Sequence, residues 1–246
     1  MPAPLILAFD AACAACSVAV ARVGASGGVE TLASESRALE RGHAAVLAPM
    51  IEAALAAAGV APAALSLVAV TSGPGSFTGV RIALATARGL ALALDIPVAA
   101  ISTTSVVLAA ASQADRARAA ADRATLVAAI DTRRDDFYVA LADTACDAGA
   151  PFVGDARAVA ARLAGRPAVI LGDGAPALAA RLAATGVDAR VGDGPVIPDV
   201  VVLAALAARD DPASWRARNA ADGMPRPLYL RAAEATPSPP RAAGGA

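Results

Sequence analysis

Two aspartates close apolar runs in this chain: Asp10 follows Leu5 to Phe9, and Asp131 follows Thr125 to Ile130. A carboxylate at a strand end is placed to hold magnesium and, through it, nucleotide phosphates. Loops of that kind usually follow the acid with glycine, threonine or serine, whose polar groups meet phosphate oxygens. Asp10 is followed instead by Ala11-Ala12-Cys13, which offers a phosphate little. The turn Gly172-Asp173-Gly174 could touch a nucleotide or equally cap a helix. Asp10, Asp131, Gly172 and Gly174 are therefore read as vestigial nucleotide-loop positions without catalysis. No metal and no cofactor is expected.

Three cysteines and one histidine narrow the remaining chemistry. Cys13 and Cys16 have redox or zinc spacing. Structural zinc needs two more ligands, and only Cys146 and His43 remain, without paired spacing. The thiols are read as small buried side chains near a strand connection. A single histidine excludes a His-Glu-x-x-His zinc protease and any two-histidine clamp. A Ser-His-Asp triad would have to use His43, and the Gly-x-Ser-x-Gly elbow is missing. His43 is read as a residue at a helix start or an interface hydrogen bonder.

The stretch Thr71-Ser72-Gly73-Pro74-Gly75-Ser76-Phe77-Thr78-Gly79-Val80-Arg81 organises the chain. Leu67 to Val70 before it reads as a buried strand. Gly73, Pro74 and Gly75 break that strand, and Ser76 or Thr78 caps a helix over about residues 77–93. Such a turn can bind an anion, bring a backbone close to a partner, or be no more than a sharp turn. It is not a Walker loop, because the chain contains no lysine. In the helix, Val80, Leu84, Ala87, Ala91 and Leu94 share one face and suit a core. Thr78, Arg81, Ala85, Arg88 and Leu92 share another, either a solvated face or a helix seam.

These positions need a framework, and the pattern supplies one. Strands are expected at 5–9, 17–21 and 29–33, with a glycine-rich hairpin at 24–28. A helix over about 44–58 follows, starting late enough to put Pro49 in its first turn. It has only one charge, Glu52, so it is either internal or covered by another protein. A strand at 96–101 and a helix from Ser102 to about Gln113 come next, then a charged crossing between lobes at 114–123. Strands at 125–130 and 137–141 flank the turn 131–136. A helix at 155–164, a strand at 167–171, a helix to Ala184 and a last helix at 198–209 complete the series. The strand–Asp pattern occurs twice, an internal duplication.

With 246 residues the chain can hold one large core or two lobes. Its net charge of −1 and 3% aromatic content oppose unaided nucleic-acid binding. Charged residues and Pro97 interrupt the apolar runs before they reach the ~18 residues of a membrane span. No secretory signal opens the chain, and a cytoplasmic location is expected.

The residues from Thr71 to Ile82, with Ala87-Arg88-Gly89-Leu90-Ala91, closely resemble the signature of the TsaB (YeaZ-like) family. Those proteins are non-catalytic subunits of the bacterial tRNA threonylcarbamoyladenosine complex. Leu7 to Asp10, Arg41-Gly42-His43, Leu47 to Ile51, Ile130 to Arg133 with Phe137-Tyr138, Gly172 to Gly174 and Pro227 to Arg231 also fit. The chain departs from the family at Ala11-Ala12, where Thr-Ser is frequent, and in its proline-rich tail.

The resemblance implies an α/β chain with a two-lobed actin-like ATPase (ASKHA) fold, built from duplicated RNase H-like mixed sheets with flanking helices. The lobes are expected at 1–110 and 111–232, with helix 198–209 free to pack back on the first, and a disordered tail at 233–246. It implies a scaffold, not an enzyme, that pairs with a catalytic TsaD-like subunit. The expected interface is His43, Leu47, Met50, Ile51, Ala54, Thr78, Arg81, Ala85, Arg88 and Gly89. The signature turn is Gly73, Pro74, Gly75, Ser76, Phe77 and Gly79. A TsaE-like ATPase is expected across the pair, a homodimer when the partner is absent, tRNA contact only through the complex, and no membrane contact. A divergent ATP-dependent small-molecule kinase or ATPase using Asp10 and Asp131 is the alternative. A peptidase lacks its zinc ligands.

Overall fold

A computed structural model describes residues 3–25, 27–142 and 148–231. The expected tail at 233–246 and Cys146 lie outside them. The elements run β1 (Leu5–Asp10), β2 (Ala15–Val23), β3 (Val29–Ala38), α1 (His43–Ala58), β4 (Leu67–Thr71), α2 (Phe77–Leu94), β5 (Val98–Ile101), α3 (Thr103–Ala109) and α4 (Gln113–Asp122). They continue as β6 (Thr125–Asp131), β7 (Phe137–Ala142), β8 (Phe152–Gly154), α5 (Ala156–Leu163), β9 (Ala168–Leu171), α6 (Ala175–Ala183), β10 (Ala189–Val191), α7 (Val200–Ala207) and α8 (Pro212–Asp222).

The strands make two five-stranded sheets, β3-β2-β1-β4-β5 and β10-β9-β6-β7-β8. In the first, β1–β2 and β2–β3 are antiparallel while β1–β4 and β4–β5 are parallel. The second repeats this, with β6 in the place of β1 and β9 in the place of β4. The duplication extends to whole sheets, and Asp10 and Asp131 close equivalent strands.

Alternation along β1 builds the first core. Leu7 and Phe9 meet Leu47, Met50, Ile51, Val80 and Leu84 of α1 and α2. Ile6 and Ala8 point the other way, to Val200, Leu203 and Ala204 of α7. The second sheet packs against α5 and α6 through Val159, Leu163, Leu178 and Leu182. Buried alanines sit in β1, β2, β4 and the helices that cover them, where small side chains let these elements approach closely.

Several local expectations change. Pro49 lies inside α1, not in its first turn, because the helix starts at His43. Proline is tolerated there because it faces solvent, where water can serve the carbonyl its ring leaves unpaired. The stretch 114–123 is largely helical, as α4. Ser112 and Asp115 form a reciprocal capping box that starts α4. α7 belongs to the first core, and Asn219 of α8 bonds both the N–H (2.8 Å) and the carbonyl (3.1 Å) of Val98 on the edge strand β5. The short strands β8 and β10, and α8, were too brief or too polar for the periodicity to announce. α2 is 18 residues long and apolar enough to cross a membrane by length and composition, but its inner face packs on the sheet.

Candidate functional site

The two lobes enclose a cleft of about 930 Å³. Its walls come from the loop after Asp10, the segment before α1, the glycine turn, the loop after Asp131, Asp173 and residues 228–231. Asp131 reaches this space and Asp10 does not.

Asp10 is 1% exposed, beneath the Ala11-Ala12 loop. Its Oδ1 accepts the Thr71 hydroxyl and, at 3.1 Å, the Ala12 N–H, tying β1 to its parallel neighbour β4. Oδ2 has no partner. Burial pushes the carboxyl up to about 6, against the opposing pull of those two bonds. Thr71 is the residue the sequence reading left without a role.

The glycine turn is the lid on this pair. Gly73 has φ +92° and lies within 3.2 Å of the Leu228 carbonyl, measured from a side-chain carbon built on it. A Cβ on Gly75 would overlap the Ala12 carbonyl, and one on Gly79 the Ala11 carbonyl. The Ser76 N–H donates to Ala12 O at 2.6 Å, and Ser76 Oγ caps α2 by accepting from Gly79 N–H at 3.3 Å. The turn therefore brings a backbone close to another stretch of its own chain. Pro74 and Phe77 complete it, Pro74 buried and Phe77 50% exposed.

Across the cleft, Asp131 is only partly covered. Its N–H donates to Asp173 Oδ1 at 2.9 Å, and its Oδ1 accepts Arg133 N–H at 2.8 Å. Burial raises the Asp173 carboxyl above its ordinary range. Gly172, at φ +98°, and Gly174 let the β9–α6 turn lie against the backbone of β6, where a Cβ on either would crowd Ala129 or the Phe137 ring. Cys13 and Cys16 are free and buried, and burial pushes the Cys13 thiol well up and that of Cys16 to about 11. Among the described residues no group of three or more His, Cys, Asp or Glu is set to hold a metal.

The expected interface residues divide. Leu47, Met50, Ile51 and Ala54 are 1–5% exposed and belong to the chain's own core. His43 is 8% exposed, with Nε2 3.3 Å from the Cys13 carbonyl oxygen. These five cannot present side chains to a partner, since the sheet already covers the face they share. The bare face of α1 is instead Ala45, Ala48, Pro49, Glu52, Ala53 and Ala56. On α2, Thr78, Ala85 and Gly89 are exposed beside Leu92, which is 86% exposed. Arg81 and Arg88 turn to their own chain. Arg88 Nε donates to Pro225 O at 2.9 Å, and Arg81 Nε donates to Tyr229 Oη at 2.5 Å. Arg81 also lies over the Phe77 ring at 3.6 Å, and Phe77 stacks on Tyr229.

With this geometry in view, residues 33–205 match the sequence profile of a family described as "TsaD: tRNA N6-adenosine threonylcarbamoyltransferase". The chain belongs to that family. Its relatives place it on the TsaB (YeaZ-like) side. The "tRNA threonylcarbamoyladenosine biosynthesis protein TsaB" of Haemophilus influenzae is 36% identical over 133 residues, covering 54% of this chain and 51% of that protein. The Escherichia coli protein of the same name is 36% identical over 54% of this chain and 52% of its own. The matched segment thus spans about half the length of these relatives. A "tRNA N6-adenosine threonylcarbamoyltransferase" of Novosphingobium aromaticivorans is 47% identical over 62 residues, 25% of this chain and 18% of that protein. The solved structure of "YeaZ from Pseudomonas aeruginosa" superposes with a TM-score of 0.66 at 28% identity, covering 92% of this chain and all of that one. The TsaB-like chain has the two-lobed actin-like ATPase fold its duplicated mixed sheets describe.

Proposed function

We propose that this chain is a non-catalytic subunit in the threonylcarbamoylation of tRNA adenosine, and that it holds a TsaD-like catalytic subunit through the outer faces of α1 and α2. That partner would transfer threonylcarbamoyl from its adenylate to the adenosine beside the anticodon of ANN-reading tRNAs. A TsaE-like ATPase would bind across the pair, and tRNA would meet this chain only within the complex. Without the partner the same face would pair two copies.

The observation that carries this reading is the outer face itself. Ala45, Ala48, Ala53 and Ala56 of α1 lie exposed, as do Ala85, Gly89, Leu92 and Ala93 of α2. Glu52 is the only charge along α1. Small side chains let two helix pairs approach closely and bury Leu92 between them. The sealed position of Asp10 supports a role without magnesium-nucleotide chemistry at that loop.

The test is Ala85→Glu. It adds a charge to the seam at an exposed position, so the melting temperature should stay within a degree or two while affinity for the TsaD-like subunit falls at least tenfold. Unchanged co-elution on size exclusion would remove α2 from the interface.

A further inference from the structure

The lobes are joined within the core and again at the cleft. α3 joins them in the core: Val106 packs into the first-lobe cluster with α7, while Val107 and Leu108 pack into the second-lobe cluster with β6 and β9. No residue of α3 lines the cleft. Residues 228–231 do, and they belong to a segment that runs along α2 after α8.

That segment is tied to the first lobe at three points. Arg88 donates to the Pro225 carbonyl, Leu228 N–H donates to Ser72 O at 2.8 Å, and Arg81 and Phe77 hold the Tyr229 ring. It then crosses to the second lobe. Arg231 pairs with Asp136 Oδ2 in the β6–β7 turn. Asp136 is itself fixed, because its Oδ1 accepts the Thr132 hydroxyl at 2.6 Å. Both side chains are about three-quarters covered, at 27% and 26% exposure, so water screens this pair less than a surface pair.

We infer that residues 225–231 form a latch: the Arg231–Asp136 pair fastens the lobes at the cleft, and the anchors on Arg81 and Arg88 couple that closure to the outer face of α2. A chain that opens at Arg231 frees the end of the segment that Arg81 and Arg88 grip. Lobe closure and the presentation of α2 are then one coupled state. The latch itself stands without any partner. Its effect on partner affinity rests on the function proposed above.

Hydrogen exchange on the full chain tests the latch. Arg231→Gln and Asp136→Asn each remove the charge pair, and Asp136→Asn keeps an oxygen for Thr132. Each should speed exchange about fivefold to tenfold in the amides of 132–134 and 228–230, while those of β1 and β6 keep their wild-type rates. The swapped pair Arg231→Asp with Asp136→Arg should return exchange to within about twofold of wild type. Unchanged rates in both single variants would overturn the latch, as would equal acceleration throughout both sheets or no recovery in the swap. A parallel titration with a TsaD-like subunit should show the single variants binding several-fold more weakly and the swap restored. If the wild-type chain bound no such subunit, the proposed function would fail while the exchange result still decided the latch. Partner affinity unmoved in variants with fast cleft exchange would overturn the coupling to α2.

Discussion

Asp10 closes β1 and Asp131 closes β6, equivalent strands of two sheets with one topology. In each half the neighbouring parallel strand leads through a glycine turn into a helix. The first turn packs down on the loop after its aspartate, with Gly75 and Gly79 against Ala12 and Ala11. The second turn packs behind its aspartate, with Gly172 and Gly174 against Ala129, Phe137 and the Asp131 backbone. One carboxylate is thereby buried with an orphan oxygen, and the other stands at the cleft. A duplicated loop keeps or loses access to the cleft by where glycine allows the next turn to lie. The aspartate is the same in both.

The largest break in this comparison comes from filling the first glycine contact. Gly79→Val would drive a branched side chain into the Ala11 backbone, which cannot move aside as a flexible side chain would. A loss of about 4 kcal/mol in chemical denaturation is expected. Gly174→Ala meets a ring edge at 2.9 Å and the Asp131 nitrogen at 3.1 Å, a milder fault expected to cost about 1–2 kcal/mol. Equal losses would mean that the two turns do the same packing work.

Burial of Asp10 adds a pH signature. Its carboxyl titrates near 6 in the fold, against 3.8 in the ordinary state. Folding thus favours the protonated form, so this contribution to stability is complete below about pH 3.8 and is lost as pH rises through about 6. At ~1.36 kcal/mol per pH unit, the loss is about 3 kcal/mol. Asp10→Asn keeps an acceptor for Thr71 and Ala12 and cannot ionise. Relative to wild type it should gain about 3 kcal/mol between about pH 3.5 and 7, read from urea midpoints across that range. A constant difference would place Asp10 in contact with water.

The contrast between the loops was half legible in the sequence. Asp10 and Asp131 stood out as strand ends, and the Ala11-Ala12 step marked the first loop as poor for phosphate. That the glycine turn is the cause was hidden, because the contact joins residues more than sixty positions apart and glycine spacing says nothing about what lies across from it. The faces of α2 read correctly, since large and small residues segregate along it. Those of α1 did not. Alanine fills both a tight core and a bare surface, so Leu47, Met50 and Ile51 were read as outward when they complete the core under β1. Arg81 and Arg88 looked like a seam for a partner because their receptors, Tyr229 and the Pro225 carbonyl, come from the end of the chain.

The smallest effect belongs to the open loop. Asp131→Ala removes the acceptor for Arg133 N–H, a bond exposed to solvent, and an ion pair to Arg133 at 4.0 Å whose arginine is 74% exposed. Water replaces both, so the cost should be about 0.5–1 kcal/mol. The bond from Asp131 N–H to Asp173 survives, since it uses the backbone. The measurement is the urea midpoint of Asp131→Ala beside Asp10→Ala at pH 7. Asp10→Ala leaves the buried Thr71 hydroxyl and the Ala12 N–H without their acceptor, while it also relieves a buried carboxylate. Relative to wild type its midpoint should therefore rise as pH rises through about 6, where the wild type has to ionise Asp10 in its buried site. If Asp131→Ala cost as much as Gly79→Val, the second loop would be holding its lobe together, and its openness to the cleft would no longer set it apart from the first.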